Sequence, residues 1–341
     1  MKYRNLGNTG LPVARIALGT MTFGAAGWGC DQATAHRILA AYLDAGGNFV
    51  DTADVYANNE SERIIGAFLT GSQRDRLVIA SKCYFPQGEW AGFPGCTGLS
   101  RKHIMSACEA SLKRLGTDHI DLYYAHAWDP NTPPDETMIA LDLLMQQGKI
   151  RYAGCSNFYA WQFTLANANA AGRARFVCGQ HMYNLVRRDI EREVIPACEA
   201  QKMSIVAWSP LAGGVLTGKY RRADSPQPGT RLHHRSALDV PRFWHDAGFR
   251  TAEIVARIAD REGLDRAFVA LSWVVGNPAV ASVITGVRTV EQLQSNLAVA
   301  DQELPPEVYR ELCAETEPEE GYLEQNRRHN VEAAFGAFEV G

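Results

Sequence analysis

The chain lacks the features of membrane, secreted and nucleic-acid-binding proteins. No apolar run reaches the ~18 residues that suggest a membrane helix. Residues 1–7 contain no apolar segment of the kind found in a secretory signal. The formal net charge of −4 gives no basic excess that would indicate nucleic-acid binding. We therefore expect a cytoplasmic protein without nucleic-acid or membrane partners.

Cysteine pairs with metal-ligand spacing are also missing. The eight cysteines include no Cys-x-x-Cys pair, and several of them lie in apolar segments. This usage is typical of free thiols in a reducing compartment rather than of a disulfide framework or a zinc site. His233 and His234 form an isolated pair, so we expect no bound metal. Cys83 follows Lys82, and we interpret it as core filling rather than as a nucleophile.

Three common enzyme motifs are absent or incomplete. The sequence has no Gly-x-Ser-x-Gly elbow for a nucleophilic serine. Residues 213–219 read Gly-x-x-x-x-Gly-Lys, but Tyr220 follows where a P-loop needs Ser or Thr. Gly24, Gly27 and Gly29 occur in the wrong order for the dinucleotide fingerprint of a Rossmann fold.

What the chain does contain is a regular alternation of apolar, β-rich runs with helical patterns. Its 341 residues are 46% hydrophobic and 21% charged, as in a globular protein. The predicted strands are 15–19, 48–52, 77–82, 120–126, 152–156, 176–180, 204–208 and 281–285. The predicted helices are 33–45, 61–69, 101–115, 134–147, 161–171, 190–201, 252–262, 266–275 and 290–300.

Eight strands that are apolar on both faces and separated by helices indicate a parallel sheet. They fit an α/β fold of the (β/α)8 TIM-barrel type better than a six-stranded doubly wound sheet. Residues 3–13 predict a β-hairpin that caps one end, with Asn8-Thr9-Gly10 in its middle. Residues 221–245 lack periodicity and predict a long loop. We expect one domain over 1–341, in which the tail 319–341 covers the pocket, contacts a subunit or is mobile.

Reactive groups of such a barrel collect where the strands end at their carboxyl side. Asp51, Lys82 and His126 end the second, third and fourth predicted strands, and Tyr56 lies in the loop after Asp51. Strands one and five to seven end at Gly19-Thr20-Met21, Ser156-Asn157, Gln180 and Trp208-Ser209-Pro210. A barrel with a purely structural role would not require a polar or aromatic residue at so many strand ends.

The first four of these residues suggest acid catalysis. A free tyrosine has a pKa of ~10 and is a poor acid at neutral pH. We expect the Lys82 ammonium to lower the pKa of Tyr56, with Asp51 holding Lys82 in its charged form. His126 can orient a carbonyl oxygen, and the set can then protonate an alkoxide as a hydride arrives.

Each residue alone has a simpler interpretation. Asp51 can cap the following turn, and its position predicts this role about as strongly as it predicts a catalytic one. Tyr56 alone is more often a packing residue, Lys82 a solvated one and His126 a satisfied core histidine. The joint placement of the four residues favours the catalytic interpretation.

Motifs around these residues resemble the active-site signatures of the aldo-keto reductases. The stretches at the proposed catalytic residues are Asp51-Thr52-Ala53-Asp54-Val55-Tyr56, Ser81-Lys82 and His126-Ala127-Trp128-Asp129. Further similar stretches are Gly154-Cys155-Ser156-Asn157-Phe158, Gln180-x-x-Tyr183-Asn184, Trp208-Ser209-Pro210-Leu211-Ala212-Gly213-Gly214 and Gly286-Val287-Arg288. They run in order along nearly the whole chain, to Asn296. The resemblance implies a (β/α)8 barrel that binds NADPH or NADP+ in extended form, with NADH weaker.

The resemblance also implies roles for the residues of the second half-barrel. Ser156, Asn157 and Gln180 would hold the nicotinamide carboxamide, and Trp208 would stack on the ring. Arg288 would meet the 2′-phosphate, where a guanidinium fork suits phosphate oxygens. The other implied cofactor residues are Gly19, Thr20, Met21, Asp51, Ser209, Leu211, Gly213, Lys219, Gly286, Gln292 and Asn296. Met182 and Thr285 depart from the family pattern, where many relatives carry Glu and Pro.

Aromatic side chains are candidates for a substrate pocket. The proposed substrate residues are Trp28, Tyr56, Trp90, His126 and Trp128, with Phe93, Phe243 and Trp244 as further possible walls. Such walls suit aryl aldehydes, quinones and polycyclic ketones, and they also stack on a keto-sugar. The alternative is that about half of these rings pack into loop cores.

The sequence therefore predicts an NADPH-dependent reductase of aldehydes or ketones, acting on a small-molecule carbonyl substrate as a monomer or a homo-oligomer. Two other classes remain open from sequence. One is a cofactor-sensing binding or regulatory subunit with little turnover. The other is a barrel hydrolase without redox chemistry, which would not bind a nicotinamide cofactor.

Overall fold

The protein forms a closed barrel of eight parallel strands surrounded by helices. A computed structural model describes residues 1–86, 92–170 and 172–336. An N-terminal hairpin consists of β1 (Tyr3–Asn5) and β2 (Pro12–Ala14). The barrel strands, in chain order, are β3 (Ile16–Gly19), β4 (Phe49–Asp51), β5 (Val78–Cys83), β6 (Ile120–Ala125), β7 (Ile150–Ser156), β8 (Phe176–Met182), β9 (Ser204–Trp208) and β10 (Val280–Gly286). Each strand pairs with the next, and β10 closes on β3, which confirms the predicted (β/α)8 barrel.

The helices alternate with these strands as the sequence predicts. Those between barrel strands are α1 (Gln32–Asp44), α2 (Glu60–Phe68), α3 (Arg101–Leu115), α4 (Pro134–Gln146), α5 (Ala160–Asn169), α6 (Val194–Ala200), α7 (Arg231–His234), α8 (Ser236–Phe243), α9 (Asp246–Glu262) and α10 (Arg266–Gly276). After β10 come α11 (Val290–Leu297), α12 (Pro306–Glu315) and α13 (Tyr322–Phe335). Among the described residues, no helix is both long and apolar enough to cross a membrane.

Two apolar layers hold the barrel together. The larger layer lies between the outer face of the strands and the helices and contains, for example, Ile79 and Tyr123. The smaller layer fills the barrel interior and includes Phe49, Leu122 and Tyr124. Because every strand is buried on both faces, its sequence is an almost unbroken apolar run. Polar side chains enter this pattern mainly at the carboxyl ends of the strands.

The N-terminal hairpin plugs the opposite end of the barrel, as predicted. Leu6 and Val13 are fully buried in the interior layer. The Arg4 guanidinium donates hydrogen bonds to the carbonyl oxygens of Asn277 and Val280 at the start of β10. The Gly7 amide donates to Ser204 Oγ at the start of β9, at 2.7 Å. One end of the barrel is therefore closed, which leaves the carboxyl end of the strands for ligands.

The prediction of a long loop over 221–245 agrees with the irregular residues 221–230 but was wrong for the residues that follow. The segment 231–243, here called the strap, forms α7 and α8. Leu232 and Phe243 are fully buried beside Gly213, and the Asp239 carboxylate is buried among guanidinium groups. Its ion-pair partners are Arg231, Arg235 and Arg242. These contacts are tertiary, so a search for helical periodicity could not reveal them.

Some predicted boundaries also change. The helix expected at 190–201 is a short 3-10 turn, Asp189–Glu191, followed by α6, and α9 begins at Asp246 rather than at 252. The tail contains α13, which begins beside the loops after β7 and β8. There Arg192 donates to the Glu319 carbonyl oxygen. A cavity of about 350 Å³ at this junction is lined partly by Tyr159 and Tyr322, and its lining includes none of the four predicted catalytic residues.

Candidate active site

Lys82 connects the carboxyl ends of β4 and β5. Its Nζ lies 2.6 Å from Asp51 Oδ1, 2.7 Å from the Thr52 carbonyl oxygen and 3.2 Å from the Tyr56 hydroxyl. Lys82 is fully buried and Asp51 is 1% exposed. The ammonium thus has three oxygen partners in a site without bulk water, which is the arrangement that a buried charge requires.

Tyr56 reaches Lys82 because the chain reverses sharply after β4. Ala57, Asn58 and Asn59 all have positive φ angles of 48°, 55° and 73°. Asn59 Nδ2 donates to the Asp54 carbonyl oxygen at 2.5 Å and so fixes the turn before α2. Asparagine tolerates this left-handed conformation better than most residues, which accounts for Asn58 and Asn59 but not for Ala57.

His126 completes the predicted set at the end of β6. Its ring lies edge-on to Tyr56, with 6.1 Å between centroids, and edge-on to Phe85, with 5.1 Å. Burial, with the Lys82 charge adding to it, holds the pKa of His126 well below its usual range. His126 Nδ1 is buried and has no partner among the described residues. The imidazole is therefore neutral near pH 7.

The charges of the tyrosine and lysine follow from burial and from their contact. Burial acts to lower the pKa of Lys82, but the Asp51 carboxylate and Tyr56 outweigh it, so the pKa of Lys82 is raised. Burial raises the pKa of Tyr56, and the Lys82 ammonium counteracts only part of that rise. The expected acidifying effect of Lys82 is present, but the net shift of the Tyr56 pKa is upward. Tyr56 therefore keeps its proton near pH 7.

The strand ends of β7, β8 and β9 meet beside this group. Gln180 Nε2 donates to Asp51 Oδ2 at 2.7 Å. Trp208 Nε1 donates to Asn157 Oδ1 at 3.1 Å, and Asn157 Nδ2 donates to Ser156 Oγ at 3.0 Å. The structure thus brings the three predicted carboxamide residues and the predicted stacking tryptophan together next to Asp51.

The backbone after β9 forms a concave surface of left-handed residues. Ser209, Ala212, Gly213 and Gly214 have φ angles of 57°, 49°, 65° and 96°. The N–H groups of Ala212 and Gly214 donate within the turn, to the carbonyl oxygens of Ser209 and Leu211 at 3.0 and 2.8 Å, while the glycines let an anionic group approach the backbone closely. A Cβ at Gly214 would lie 2.6 Å from Lys219 Nζ, so the lysine head group approaches the backbone closely. The Ser209 hydroxyl is buried without a partner among the described residues, and these groups fit a pyrophosphate.

Three basic side chains converge at the far end of this surface. Burial lowers the pKa of Lys219, and the nearby Arg288 and Arg231 charges lower it further. Arg288 donates from its guanidinium to the Gly229 carbonyl oxygen and from its backbone to Gln292 Oε1, both at 2.9 Å. Like charges held together favour an anionic ligand, so this end of the site fits a further phosphate group.

Several predicted cofactor residues have partners within the protein. The Thr20 hydroxyl donates to the Asp51 carbonyl oxygen at 3.0 Å and accepts from Ser61. Gly19 and Gly286 are paired across β3 and β10, and a Cβ at Gly19 would meet the Ile284 side chain. Of the others, Met21 and Leu211 are half-buried and Asn296 is buried.

The predicted substrate residues do not all face one place. Trp28 stacks on His234 of the strap, with 6.5 Å between ring centroids. Trp128 packs against Phe158 and Trp161 beside α5. Phe243 is fully buried and so belongs to the core. Trp90 lies outside the described residues.

Sequence reasoning missed two aromatic contacts at the mouth. The Phe85 ring contacts the His126 ring edge-on. Its position three residues after Lys82, beyond the end of the third predicted strand, could have indicated that it lies at the mouth. His234 was considered only as a metal ligand, and its ring contact with Trp28 could not be inferred because it joins residues far apart in the chain. Among the described residues, no group of three His, Cys, Asp or Glu side chains could hold a metal ion. All eight cysteines are free, as expected.

Comparison with known proteins adds an independent line of evidence. The model of the Aldo/keto reductase family matches residues 15–315. An uncharacterized oxidoreductase, YrpG of Bacillus subtilis (strain 168), is 39% identical over 322 residues, covering 92% of this chain and 95% of that protein. The versiconal hemiacetal acetate reductase of Aspergillus parasiticus is 32% identical over 328 residues, covering 90% and 94%.

A relative described with a different role is also similar over nearly its full length. A probable voltage-gated potassium channel subunit beta of Arabidopsis thaliana is 37% identical over 309 residues, covering 88% of this chain and 92% of that protein. Together with the barrel and its converging strand ends, the family match is decisive. The chain belongs to the aldo/keto reductase family and is an oxidoreductase of the kind that reduces carbonyl groups with a nicotinamide cofactor.

Proposed function

We propose that the protein is an NADPH-dependent reductase of aldehydes or ketones, in which Tyr56 is the proton donor. The observation that carries the proposal is the Lys82 ammonium in contact with both the Asp51 carboxylate and the Tyr56 hydroxyl in a buried site. A carbonyl oxygen that becomes an alkoxide needs a proton from a positioned acid. Tyr56 is the acidic hydroxyl at the carboxyl end of the barrel that touches an ammonium.

The bound cofactor would supply the hydride, and the side chains would donate the proton and stabilise the charge that its transfer leaves. Tyr56 holds its proton at neutral pH because burial raises its pKa. As it donates that proton, the Lys82 ammonium at 3.2 Å stabilises the phenolate that forms. Asp51 keeps Lys82 charged and in place, and neutral His126 hydrogen-bonds the carbonyl oxygen and so orients it towards Tyr56.

The residues present fit a nicotinamide dinucleotide phosphate. Ser156, Asn157 and Gln180 would hold the carboxamide, and Trp208 would lie against the ring. The left-handed backbone after β9 and Lys219 would bind the pyrophosphate, supported by the buried, unpartnered Ser209 hydroxyl. The cluster of Lys219, Arg231 and Arg288 supports a phosphorylated ribose, and hence NADPH over NADH.

The mouth supports a carbonyl compound with a flat, apolar body. The exposed Phe85 ring lies edge-on against His126, and Trp28 stacks on His234 of the strap. Aromatic walls of this kind bind aryl and polycyclic groups by burial and stacking. We further propose that the chain acts as one domain in a reducing compartment, as its free thiols suggest.

The proposal is tested by Tyr56→Phe, which removes the hydroxyl and keeps the ring. We expect kcat for carbonyl reduction to fall by about 10²- to 10⁴-fold, the usual contribution of a positioned acid. The NADPH dissociation constant, measured by tryptophan fluorescence quenching, should stay within about twofold. Tyr84→Phe is the matched control, since Tyr84 lies at the same mouth and contacts Phe85. Full activity of Tyr56→Phe would refute the assignment of the acid.

A second candidate is a cofactor-sensing regulatory subunit. The observation that favours it is the similarity to proteins described as probable potassium channel β subunits. Such a subunit would bind NADPH but would not consume it at a useful rate. Steady-state NADPH oxidation across a panel of aryl aldehydes, quinones and ketones separates the two, because the reductase predicts turnover with at least one class.

A further inference from the structure

We propose that Ser61 is a positioning residue for the active site. It is the central member of a buried chain of hydroxyl groups that joins the two ends of the loop carrying Tyr56. The same chain ends on two residues whose oxygen atoms hold the Lys82 ammonium. The inference rests on the proposed function, because it assigns the proton transfer to Tyr56. It adds a serine from the first turn of α2 to the site.

Three hydroxyl groups from separate segments form this chain. Thr20 follows β3, Thr52 follows β4, and Ser61 lies at the start of α2. All three side chains are fully buried. Ser61 Oγ lies 3.0 Å from Thr52 Oγ1, 2.8 Å from Thr20 Oγ1 and 2.9 Å from the Thr20 carbonyl oxygen. The Thr20 hydroxyl extends the chain to the Asp51 carbonyl oxygen, at 3.0 Å.

The supply of hydrogen atoms sets the direction of these hydrogen bonds. A hydroxyl group donates one hydrogen and can accept two hydrogen bonds. Because the Thr20 hydroxyl donates to the Asp51 carbonyl oxygen, it accepts from Ser61. Ser61 has then used its one hydrogen, so it accepts from the Thr52 hydroxyl. Loss of Ser61 Oγ therefore removes both the acceptor of Thr52 and the donor to Thr20.

The two ends of the chain are also the partners of Lys82. The Thr52 carbonyl oxygen accepts from Lys82 Nζ at 2.7 Å, and Asp51 Oδ1 accepts from it at 2.6 Å. The backbone amide and the hydroxyl of Thr20 both donate to the Asp51 carbonyl oxygen, each at 3.0 Å. The hydroxyl chain thus holds the backbone on both sides of the peptide bond between Asp51 and Thr52, and so fixes the oxygens around the ammonium.

The loop between Thr52 and Ser61 needs this support because its backbone is strained. Residues 57–59 all have positive φ angles, and such non-glycine residues persist only where the surrounding structure holds them. The Ser61 amide donates to the Tyr56 carbonyl oxygen at 3.4 Å, and the hydrogen bond between Thr52 and Ser61 joins the two ends of the loop. The closed loop places the Tyr56 hydroxyl 3.2 Å from Lys82 Nζ.

Ser61→Ala tests the chain by removing one oxygen atom. We expect kcat for carbonyl reduction to fall on the order of tenfold, because the Tyr56 hydroxyl is no longer held against the Lys82 ammonium. The basic limb of the pH profile of kcat/KM should move to higher pH, because a more distant ammonium favours the Tyr56 phenolate less. A merely structural role would lower the fraction of active protein and leave the basic limb in place.

The matched control is Ser282→Ala. Ser282 is also fully buried, and its hydroxyl donates to the Ala14 carbonyl oxygen at 2.7 Å, beside the N-terminal hairpin. We expect both variants to lower Tm, whereas only Ser61→Ala should shift the pH profile. An unshifted basic limb in Ser61→Ala, or the same shift in both variants, would overturn the inference.

Thr52→Val tests the direction of the chain and stays informative if Ser61→Ala does not fold. Valine keeps the shape of threonine, and Ser61 can still donate to Thr20. We therefore expect a smaller fall in kcat, of about threefold, with the basic limb moved in the same direction. In the double variant both partners of one hydrogen bond are gone, so kcat should fall no further than in Ser61→Ala alone. Additive losses, or a wild-type pH profile in Thr52→Val, would contradict the proposal.

Crystal structures separate this inference from the proposed function. They measure the distance between Tyr56 Oη and Lys82 Nζ, which is 3.2 Å here, in cofactor-free Ser61→Ala and wild type. If the wild type reduces no carbonyl compound, the reductase assignment fails, while a longer distance in Ser61→Ala still supports the positioning role. An unchanged distance contradicts that role, whatever the activity of the protein.

Discussion

At the scale of the single residue, Asp54 is an ionisable side chain that is almost completely buried. It is 1% exposed, and neither carboxylate oxygen has a hydrogen-bond partner among the described residues. Burial raises the pKa of Asp54 well above its usual value, and the neighbouring Glu62 carboxylate raises it further. An unpartnered buried carboxylate is therefore more stable in its protonated form.

This arrangement makes the stability of the fold depend on pH in a defined direction. Because the pKa of Asp54 is higher in the folded than in the unfolded protein, the folded state binds more protons above the unfolded pKa of ~3.9. The contribution of Asp54 to stability is thus lost as the pH rises from that value. Asp54→Asn, which mimics the protonated form, should raise Tm relative to wild type at pH 8 and have little effect near pH 4.

Thermal unfolding of both proteins between pH 4 and pH 9 measures the difference. Asp44→Asn at the exposed end of α1 is the control, and its Tm should follow that of wild type. A difference between Asp54→Asn and wild type that is constant over the whole pH range would show that ionisation of Asp54 is not responsible.

The sequence was sufficient to locate the chemical residues but not their supports. Asp51, Lys82 and His126 could be found because each directly follows an apolar strand, and all parallel strands end on one side of a barrel. Tyr124 could not be found, because it reads as one more apolar residue of a buried strand. Its ring centroid lies 5.9 Å from Lys82 Nζ, a contact that depends on the register of neighbouring strands and on the absence of a side chain at Gly154.

At the scale of the element, the strap is held by ionic contacts rather than by helical periodicity. The Asp239 carboxylate is fully buried and pairs with three guanidinium groups. Burial alone would raise the pKa of Asp239, but the charges of Arg231, Arg235 and Arg242 outweigh it and lower that pKa. Removing one partner of a buried charge cluster is costly because it leaves the other charges uncompensated.

Asp239→Asn should therefore loosen the strap while the barrel stays folded. We expect trypsin to cleave within 231–243 on the order of tenfold faster, since local opening of this segment requires less free energy. Mass spectrometry of the early fragments identifies the sites, and NADPH should slow cleavage. Asp246→Asn, which removes an exposed pair with Arg222, is the control. Equal cleavage of the two variants would contradict the role of Asp239.

Elements were predictable where one local pattern defines them. The strands and the helices α1 to α5 agree with prediction to within a few residues. A strand buried on both faces gives a continuous apolar run, and a helix buried along one stripe gives an apolar period, so both can be recognised from the local sequence. The strap and α13 were not predicted. The strap consists of two helices of four and eight residues with Pro241 inside the second, so it is too short and too irregular to show a helical period. The helix α13 has little apolar surface facing the barrel, so its amphipathic pattern is weak.

At the scale of the whole molecule, the distribution of charge is uneven. The net charge is −4, yet Lys219, Arg231 and Arg288 are close enough to affect one another. Basic side chains are therefore concentrated at this end of the barrel mouth, although Arg231 is also paired with Asp239. NADPH carries a phosphate that NADH lacks, so the two cofactors should respond differently to salt.

Raising the ionic strength from ~0.01 M to ~1 M shortens the Debye length from about 30 Å to about 3 Å. We expect the dissociation constant for NADPH to increase on the order of tenfold, and that for NADH by clearly less. Arg288→Ala should remove most of this difference, as measured by fluorescence titration at both salt concentrations. Arg310→Ala, on the exposed surface of α12, should behave like wild type. Equal salt dependence for the two cofactors would exclude a 2′-phosphate site here.

The hairpin that plugs the barrel also sets a limit on when the protein can finish folding during its synthesis. The hairpin binds partners that are translated much later, because Arg4 contacts the carbonyl oxygens of Asn277 and Val280. These contacts span nearly the full chain, and such long-range contacts form late. The hairpin can therefore dock only after β10 has been translated, and the apolar Leu6 and Val13 remain available to chaperones until then.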